Sequence, residues 1–508
     1  MSPFPADTDT AAAAAAAANI ATIVDSAASL DPDRVALIVD DVTCSYGELA
    51  VETRRWASTL AAAGVRAGDH VPLVDWGGVR STAVTLAAAH LGAATAQMNP
   101  MLTAAELSLL VEVSRCCAIG VATTGGQDSL AAALGSGGMV IHGQGDPATS
   151  PVPERAGGGD DDALILFTSG TTGLPKPVAV SHRALMARIR AYRAPFDPDR
   201  PPAVTLMCVP SFHVGGMLGL LLTLYAGDTT VVLPRFDAGQ WLWSVARHRV
   251  TSGFLVPTMM ARILDHPDIA TIDTTSLRSI SYGAAAAPGE LIERAMRRWP
   301  DAGFANVFGQ TETLGAYTSL SPADHRDPRR IGSVGRPLPG AEVKVIDPAH
   351  GDEVDRGELG ELWVRSSQTV SSGWFATGDL ARQDTEGYVF PAGRLSETIS
   401  RGGEKFGPVE VAEVLRTHPS IADVVVVGLP DPEMGERVGA AIVLRPVTDD
   451  LGLVELRSWC APTIAAFKLP EVTVSVDALP YNELGKISRA AAIELFPPTT
   501  DHEQGPRR

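Results

Sequence analysis

Lysine is the scarcest of the charged residues in this chain. Lys and Arg together number 41, but only five are lysines: Lys176, Lys344, Lys405, Lys468 and Lys486. A lysine kept against so strong an arginine bias points to a place that needs a compact, flexible ammonium and not a planar guanidinium. Read without context, the five are simply what composition leaves over. Lys176 and Lys486 stand out because both fall in glycine-containing motifs. Positive charge is short overall, with 59 acidic residues, a net charge of -18 and a pI near 5.0. A nucleic-acid backbone needs a basic surface, so this balance argues against a nucleic-acid partner. It argues equally against attraction to anionic lipid.

Cysteine is also sparse: Cys44, Cys116, Cys117, Cys208 and Cys460, an odd number with no C-x-x-C. That suggests neither a disulfide framework nor a zinc site, and fits a reducing cytosol; a cytoplasmic location is expected. No apolar run approaches the roughly 20 residues of a membrane span. The longest, 214–226, is interrupted by glycines and reads as a buried core segment. The opening residues, with Asp7, Asp9 and alanines 11–18, lack the basic region of a secretory signal. Residues 1–18 are expected to be a frayed, partly helical and disordered tail.

What is present is an ordinary apolar content of 45%, on a chain of 508 residues that is too long for one small core. From 19 to 140 helical periodicity alternates with short apolar runs. Residues 46–63 and 83–91 read as helices and 71–76 as a buried strand, the rhythm of α/β layers on a mainly parallel sheet. Residues 125–161, rich in Gly, Pro, Ser and Ala, read as a connector with one short strand near Val140. Alternation resumes at Ala163. Between 331 and 390 short strands such as 342–346 and 360–364 dominate, suggesting a β-rich subdomain. After Gly393 come a helix at 409–416, strands at 424–428 and 439–444, a helix at 453–460 and a strand at 471–476. The fold expected is α/β: a large N-terminal domain, 19–394, of layered sheets plus a β-rich part, and a small mobile α+β domain, 395–508.

The strongest chemical signal is the stretch 163–176, an apolar strand running into Thr168-Ser-Gly-Thr-Thr-Gly-Leu-Pro-Lys176. Gly170 and Gly173 permit positive φ and close approach to a ligand. Thr168, Ser169, Thr171 and Thr172 supply hydroxyl and backbone donors, and Lys176 supplies charge. Together they suit a polyphosphate. The loop is not a Walker A motif, since Pro175 precedes the lysine. A Ser/Thr-rich surface turn is the plainer reading, but it does not account for the whole run.

This loop resembles the phosphate signature of the adenylate-forming superfamily, which includes acyl-CoA synthetases, aryl-CoA ligases, peptide-synthetase adenylation domains and firefly luciferase. The resemblance extends from about residue 20 to 496, with further motifs in the family's order. In Asn306-Val-Phe-Gly-Gln-Thr-Glu312 it implies that Glu312 binds Mg²⁺, Thr311 the α-phosphate, Phe308 the adenine face and Asn306 its amine edge. A hard cation does want carboxylate oxygen together with substrate phosphates. The run 281–288 resembles the Gly-Ala adenine wall, here Gly283, Ala284 and Ala285. In 373–379 the ribose motif is implied, with Asp379 accepting from both hydroxyls and Arg394 adding a contact. Each of these alone is a common turn or packing segment; their order carries the resemblance.

Pro210-Ser-Phe-His213 resembles a segment whose histidine borders the acyl pocket and gates the thiol, although a lone histidine is more often a satisfied core residue. The resemblance lines that pocket with His213, Gly215, Gly216, Met217, Gly283, Gly309, Leu314 and Gly315. None is Lys or Arg, so an apolar monocarboxylate is expected. Gly402, Gly403, Glu404 and Lys405 resemble the loop lining the CoA tunnel. Lys486, in 480–486, resembles the lysine that bridges substrate carboxylate and α-phosphate during adenylation, where an ammonium would stabilise developing charge. Two departures stand out. The hinge position, usually Lys or Asp, is Ser396, and the stretch between Val364 and Gly373 is shorter than in most relatives. The activity implied is an ATP-dependent, AMP-forming carboxylate–CoA ligase. Loading of a carrier protein is the alternative, and an inactive adenylate-binding protein a more distant one.

Overall fold

The computed structural model describes residues 18–123, 125–142, 153–169, 175–366, 373–402, 404–446, 451–481 and 487–497. The chain packs as two compact units: 1–331 with 335–342 and 365–374, and 332–334 with 343–364 and 375–508.

Two sheets build the first unit. One has nine strands, in the order Arg336–Pro337, Gly315–Leu320, Gly303–Gln310, Ser279–Gly283, Ser252–Leu255, Val204–Met207, Thr229–Val232, Val35–Val39 and Val42–Ser45. The six from Gly303–Gln310 to Val35–Val39 run parallel, and antiparallel strands flank them on both sides. The other sheet has six strands, five parallel, closed by the antiparallel pair Asp162–Ser169 and Pro175–Ser181.

The helices Tyr46–Ala63, Val79–His90, His182–Tyr192 and Val214–Tyr225 share one core with Leu37 and Val232 of the larger sheet and Leu73, Leu164 and Leu166 of the smaller. The opposite face of the larger sheet is covered by Trp241, Met260, Ile263 and Ile292, packed on Leu206, Ile280 and Phe304. Strands covered on both faces are why this part of the sequence reads as continuous apolar runs and not as alternation.

Local signals explain the best-defined helix. At Tyr46–Ala63 Ser45 and Glu48 form a reciprocal capping box, and Gly64, at φ 104°, ends the helix in the left-handed region. The connector reading of 125–161 misses a helix, Gln127–Leu134. Its start at Gly126 has no side-chain cap and only Leu130 is buried, so alanine propensity and one apolar anchor hold it with little sequence punctuation.

A four-stranded sheet, most of it in the second unit, follows chain order: Ala341–Ile346, Gly360–Ser366, Phe375–Gln383 and Val389–Arg394. A five-stranded sheet is built on the hairpin Ile421–Asp431 and Gly435–Leu444. The helices Pro408–Arg416 and Leu453–Cys460 pack on it through Val411, Leu415, Leu456 and Cys460. No helix among the described residues is long and apolar enough to cross a membrane.

Candidate active site

Parallel strands deliver their carboxyl ends to one edge of a sheet, and ligands of open α/β sheets bind along that edge. In the nine-stranded sheet three of four adjacent strands end in residues the sequence singles out. Gly303–Gln310 carries Asn306 and Phe308 and leads to Thr311 and Glu312. Beside it, Ser279–Gly283 leads to Ala284 and Ala285, with Tyr282 level with Asn306 and Gly283 level with Val307. Next come Ser252–Leu255, bearing Phe254, and Val204–Met207, which runs on to His213.

The backbone along this edge is unusual where a ligand would approach. Ala284 is exposed and holds φ 68°, a conformation a non-glycine residue rarely takes. A Cβ on Gly283 would lie 2.1 Å from the Val307 carbonyl, and one on Gly309 would lie 1.9 Å from the Gly315 carbonyl. Both glycines therefore serve backbone approach and not open space. Gly216 is similar, 2.2 Å from the Pro210 carbonyl, whereas Gly215 is exposed and its nearest neighbour would be the Phe254 ring at 3.8 Å. Met217 and Leu314 are buried and line a narrow apolar crevice with Leu164, Leu166, Leu185, Val214 and Leu218. His213 begins the Val214–Tyr225 helix, with its ring 4.5 Å from that of Phe212. Phe254 has no motif around it and is not found from sequence.

The acid turn is a tight hairpin. Gly303–Gln310 returns as Gly315–Leu320, with a register shift after Phe308. The Phe308 ring meets Tyr317 edge-on at 5.5 Å. Between the strands, Thr311–Thr313 makes one turn of 3-10 helix and Leu314 takes φ 50°. The Gln310 backbone N–H donates to the Thr313 hydroxyl at 3.0 Å. Glu312, half-buried, makes no hydrogen bond or ion pair with another described residue.

A residue that sequence reasoning missed fastens this turn. Arg188, 1% exposed, donates to the Leu314 and Thr313 carbonyls at 3.1 and 2.6 Å and to the Tyr192 hydroxyl at 2.9 Å. The available signal is its place on the Leu185, Ile189, Tyr192 stripe, where an apolar residue belongs. Burial pulls the guanidinium pKa down.

In the six-stranded sheet, Asp162–Ser169 and Pro175–Ser181 are the arms of the phosphate hairpin, with Thr168 directly across from Lys176. Lys176 is exposed. Gly170, Thr171, Thr172 and Gly173 lie outside the described residues, as does the side chain of Ser169.

In the second unit Asp379 and Arg394 face each other across two strands, 3.1 Å apart. Gly402, at φ 58°, and the exposed Glu404 belong to the hairpin Ile399–Arg401 and Glu404–Phe406. Ser396 is exposed in a short 3-10 turn, and its carbonyl accepts from Arg489 at 3.0 Å. Gly403, the Lys405 side chain and Lys486 lie outside the described residues.

The fold and its strand-end motifs define a nucleotide-binding α/β enzyme. The chain belongs to the AMP-binding enzyme family: that family's model matches residues 24–375, and the model of the AMP-binding enzyme C-terminal domain matches 410–486. It is similar to the indoleacetate–CoA ligase of Aromatoleum aromaticum, 32% identical over 95% of this chain and 99% of the relative. It is also similar to the fatty acid–[acyl-carrier-protein] ligase ScoC of Streptomyces coeruleorubidus, 31% identical over 92% of this chain and 95% of the relative. Among solved structures it resembles the o-succinylbenzoate CoA synthetase of Bacillus subtilis in complex with an acyl-adenylate, with a TM-score of 0.81 and 27% identity over 92% and 97% of the two chains.

Proposed function

We propose that this protein is an AMP-forming carboxylate–CoA ligase acting on an apolar monocarboxylic acid. The observation that carries the reading is the Thr311–Glu312 turn, which follows the parallel strand bearing Phe308, next to the strand that leads to Ala284. In the first step a carboxylate oxygen attacks the α-phosphorus of ATP. A P–O bond forms and pyrophosphate leaves. In the second step the thiol sulfur attacks the acyl carbon, the thiol proton passes to solvent, and the acyl–oxygen bond breaks to release AMP.

Each residue has an assigned part. Thr168, Lys176 and the 169–173 loop take the β- and γ-phosphates, and Thr311 takes the α-phosphate. Phe308, Asn306 and the 283–285 segment take adenine. Asp379 and Arg394 are assigned to ribose, Lys486 to the reacting carboxylate, and 402–405 to the thiol's approach. The boundary at 394/395, with Ser396 as hinge, would exchange Lys486 for that loop between steps. The residues fit Mg²⁺: Glu312 supplies hard oxygen, and phosphates and water complete such a shell without a protein cage. When bound, the ion would neutralise charge on the phosphates. The exposed Gly215 and apolar Phe254 support an uncharged acyl chain. The free thiols support a reducing, cytoplasmic setting.

The test is AMP release from ATP across a panel of carboxylic acids, each with and without CoA. Turnover that needs both is expected. Adenylate formation that ignores CoA but responds to a phosphopantetheinyl carrier protein would move the reading to carrier loading, which the similarity to ScoC favours. Lys486→Ala should abolish adenylation yet spare thioester formation from supplied acyl-AMP. Equal loss of both steps would overturn that division of labour.

A further inference from the structure

We infer that Arg188 is a positioning residue for adenylation: from inside the core it fixes the turn that presents Thr311 and Glu312. The inference rests on the reading of those two residues given above. Arg188 lies on the helix His182–Tyr192, which continues directly from Pro175–Ser181, the second arm of the phosphate hairpin. Its contacts fall on the segment just after Glu312. Nη2 donates to the Thr313 carbonyl at 2.6 Å and Nε to the Leu314 carbonyl at 3.1 Å. Nη1 donates to the Tyr192 hydroxyl at 2.9 Å, and that hydroxyl donates on to the Ala316 carbonyl at 3.2 Å. The guanidinium carbon sits 5.1 Å from the Tyr192 ring centre.

The turn needs such a fastening. A single turn of 3-10 helix leaves its last carbonyls without partners, and their dipoles point negative charge along the chain. Leu314 holds φ 50°, a left-handed conformation that a branched side chain resists. Left alone, the segment would relax and carry Glu312 with it. A planar guanidinium reaches two adjacent carbonyls at once, which a point-charge ammonium does not. Burying a guanidinium is costly, and a hydrophobic residue on this stripe would pack without that cost. One helix thereby fixes the acid turn relative to the phosphate hairpin, the two parts that must hold one polyphosphate in line.

The experiment follows pyrophosphate–ATP exchange by the full-length enzyme during a Mg²⁺ titration at saturating acid. Arg188→Lys keeps the charge and loses the fork. It should lower kcat for exchange by roughly 10²-fold, the scale of a misplacement of about 1 Å. Half-saturating Mg²⁺ should rise, and KM for the acid should stay the same. Tyr192→Phe, at a partly exposed position, tests the same path without risk to the core and should shift both quantities in the same direction by several-fold. In a Glu312→Gln background Arg188→Lys should cost clearly less than it does alone, because one of the two groups it positions is already gone. Folded Arg188→Lys and Tyr192→Phe enzymes with wild-type kcat and Mg²⁺ demand would overturn the inference. So would a full additional loss on top of Glu312→Gln. If Glu312→Gln alone left exchange and Mg²⁺ demand unchanged, the reading of the site would fail instead, and the two failures are distinct.

Discussion

Asp379 and Arg394 are direct partners across antiparallel strands, with the carboxylate Oδ1 3.1 Å from the arginine Nε. The pair is lopsided. Asp379 is 8% exposed, and the Thr377 hydroxyl takes its backbone N–H at 3.1 Å, while the Arg394 side chain is 46% exposed. An ion pair with one partner so open contributes less than about 1 kcal/mol to stability. Asp379→Asn keeps the shape and removes the charge. The thermal midpoint should hardly move, whereas KM for ATP should rise roughly tenfold or more, as loss of charge-assisted hydrogen bonds to hydroxyls requires. Arg394→Gln should do the same more weakly. Unchanged KM in Asp379→Asn would remove the ribose assignment.

His182 predicts an acid sensitivity of the fold. The ring is fully buried, and its Nδ1 accepts the Ile20 N–H at 3.2 Å, so the neutral ring carries its proton on Nε2. Burial pulls its pKa down to about 4, against a smaller opposing effect of Asp161 and Asp162. The folded pKa lies below the unfolded value, so the unfolded chain binds the proton first as pH falls. Stability from this group is full above the ordinary histidine range near 6.5 and declines down to about pH 4, by about 3 kcal/mol at most. His325, also depressed by burial, adds in the same direction, and His70, raised by its hydrogen bond to Asp162, opposes it. His182→Asn can accept from Ile20 without titrating. It should flatten the fall of the thermal midpoint between pH 7 and 5, and an unaltered slope would refute the assignment.

What was legible in the sequence was whatever is contiguous along the chain. The helices read at 46–63 and 453–460 coincide with Tyr46–Ala63 and Leu453–Cys460, the first because Ser45, Glu48 and Gly64 punctuate it. The strand read at 424–428 is the middle of a longer one, Ile421–Asp431, whose ends are fixed by pairing with Gly435–Leu444 and not by its own residues. The site divides the same way. Thr168 to Lys176 and Asn306 to Glu312 are linear motifs. Arg188 reaches Thr313 across 125 positions, and only the packing of a helix on a hairpin brings them together. Glycine misleads in a second manner. A glycine in the sequence does not say whether the place of its missing side chain is empty, and at Gly216, Gly283 and Gly309 a carbonyl already occupies it.

Gly215 and Gly216 therefore predict opposite outcomes one residue apart. Both open the helix Val214–Tyr225, directly after His213. A Cβ on Gly216 would lie 2.2 Å from the Pro210 carbonyl and 2.5 Å from the Val209 carbonyl. Those atoms are backbone and cannot rotate away, so Gly216→Ala must displace the loop that carries His213. It should destabilise the fold by about 1–3 kcal/mol and lower turnover for every acid alike. At Gly215 the nearest atom to a Cβ would be Phe254 Cε1 at 3.8 Å, an ordinary contact, and helix propensity favours replacement of glycine. Gly215→Leu should fold as well as the parent and fill the space in front of Phe254. Small acids should then keep their kcat/KM, while bulky aryl or long acids lose roughly 10–200-fold, the span a few methylenes command in an apolar pocket. The acid panel run on both variants, beside their melting curves, decides it. Uniform loss across acids in Gly215→Leu would mean that the acyl chain lies elsewhere, and the pocket would have to be sought away from the start of this helix.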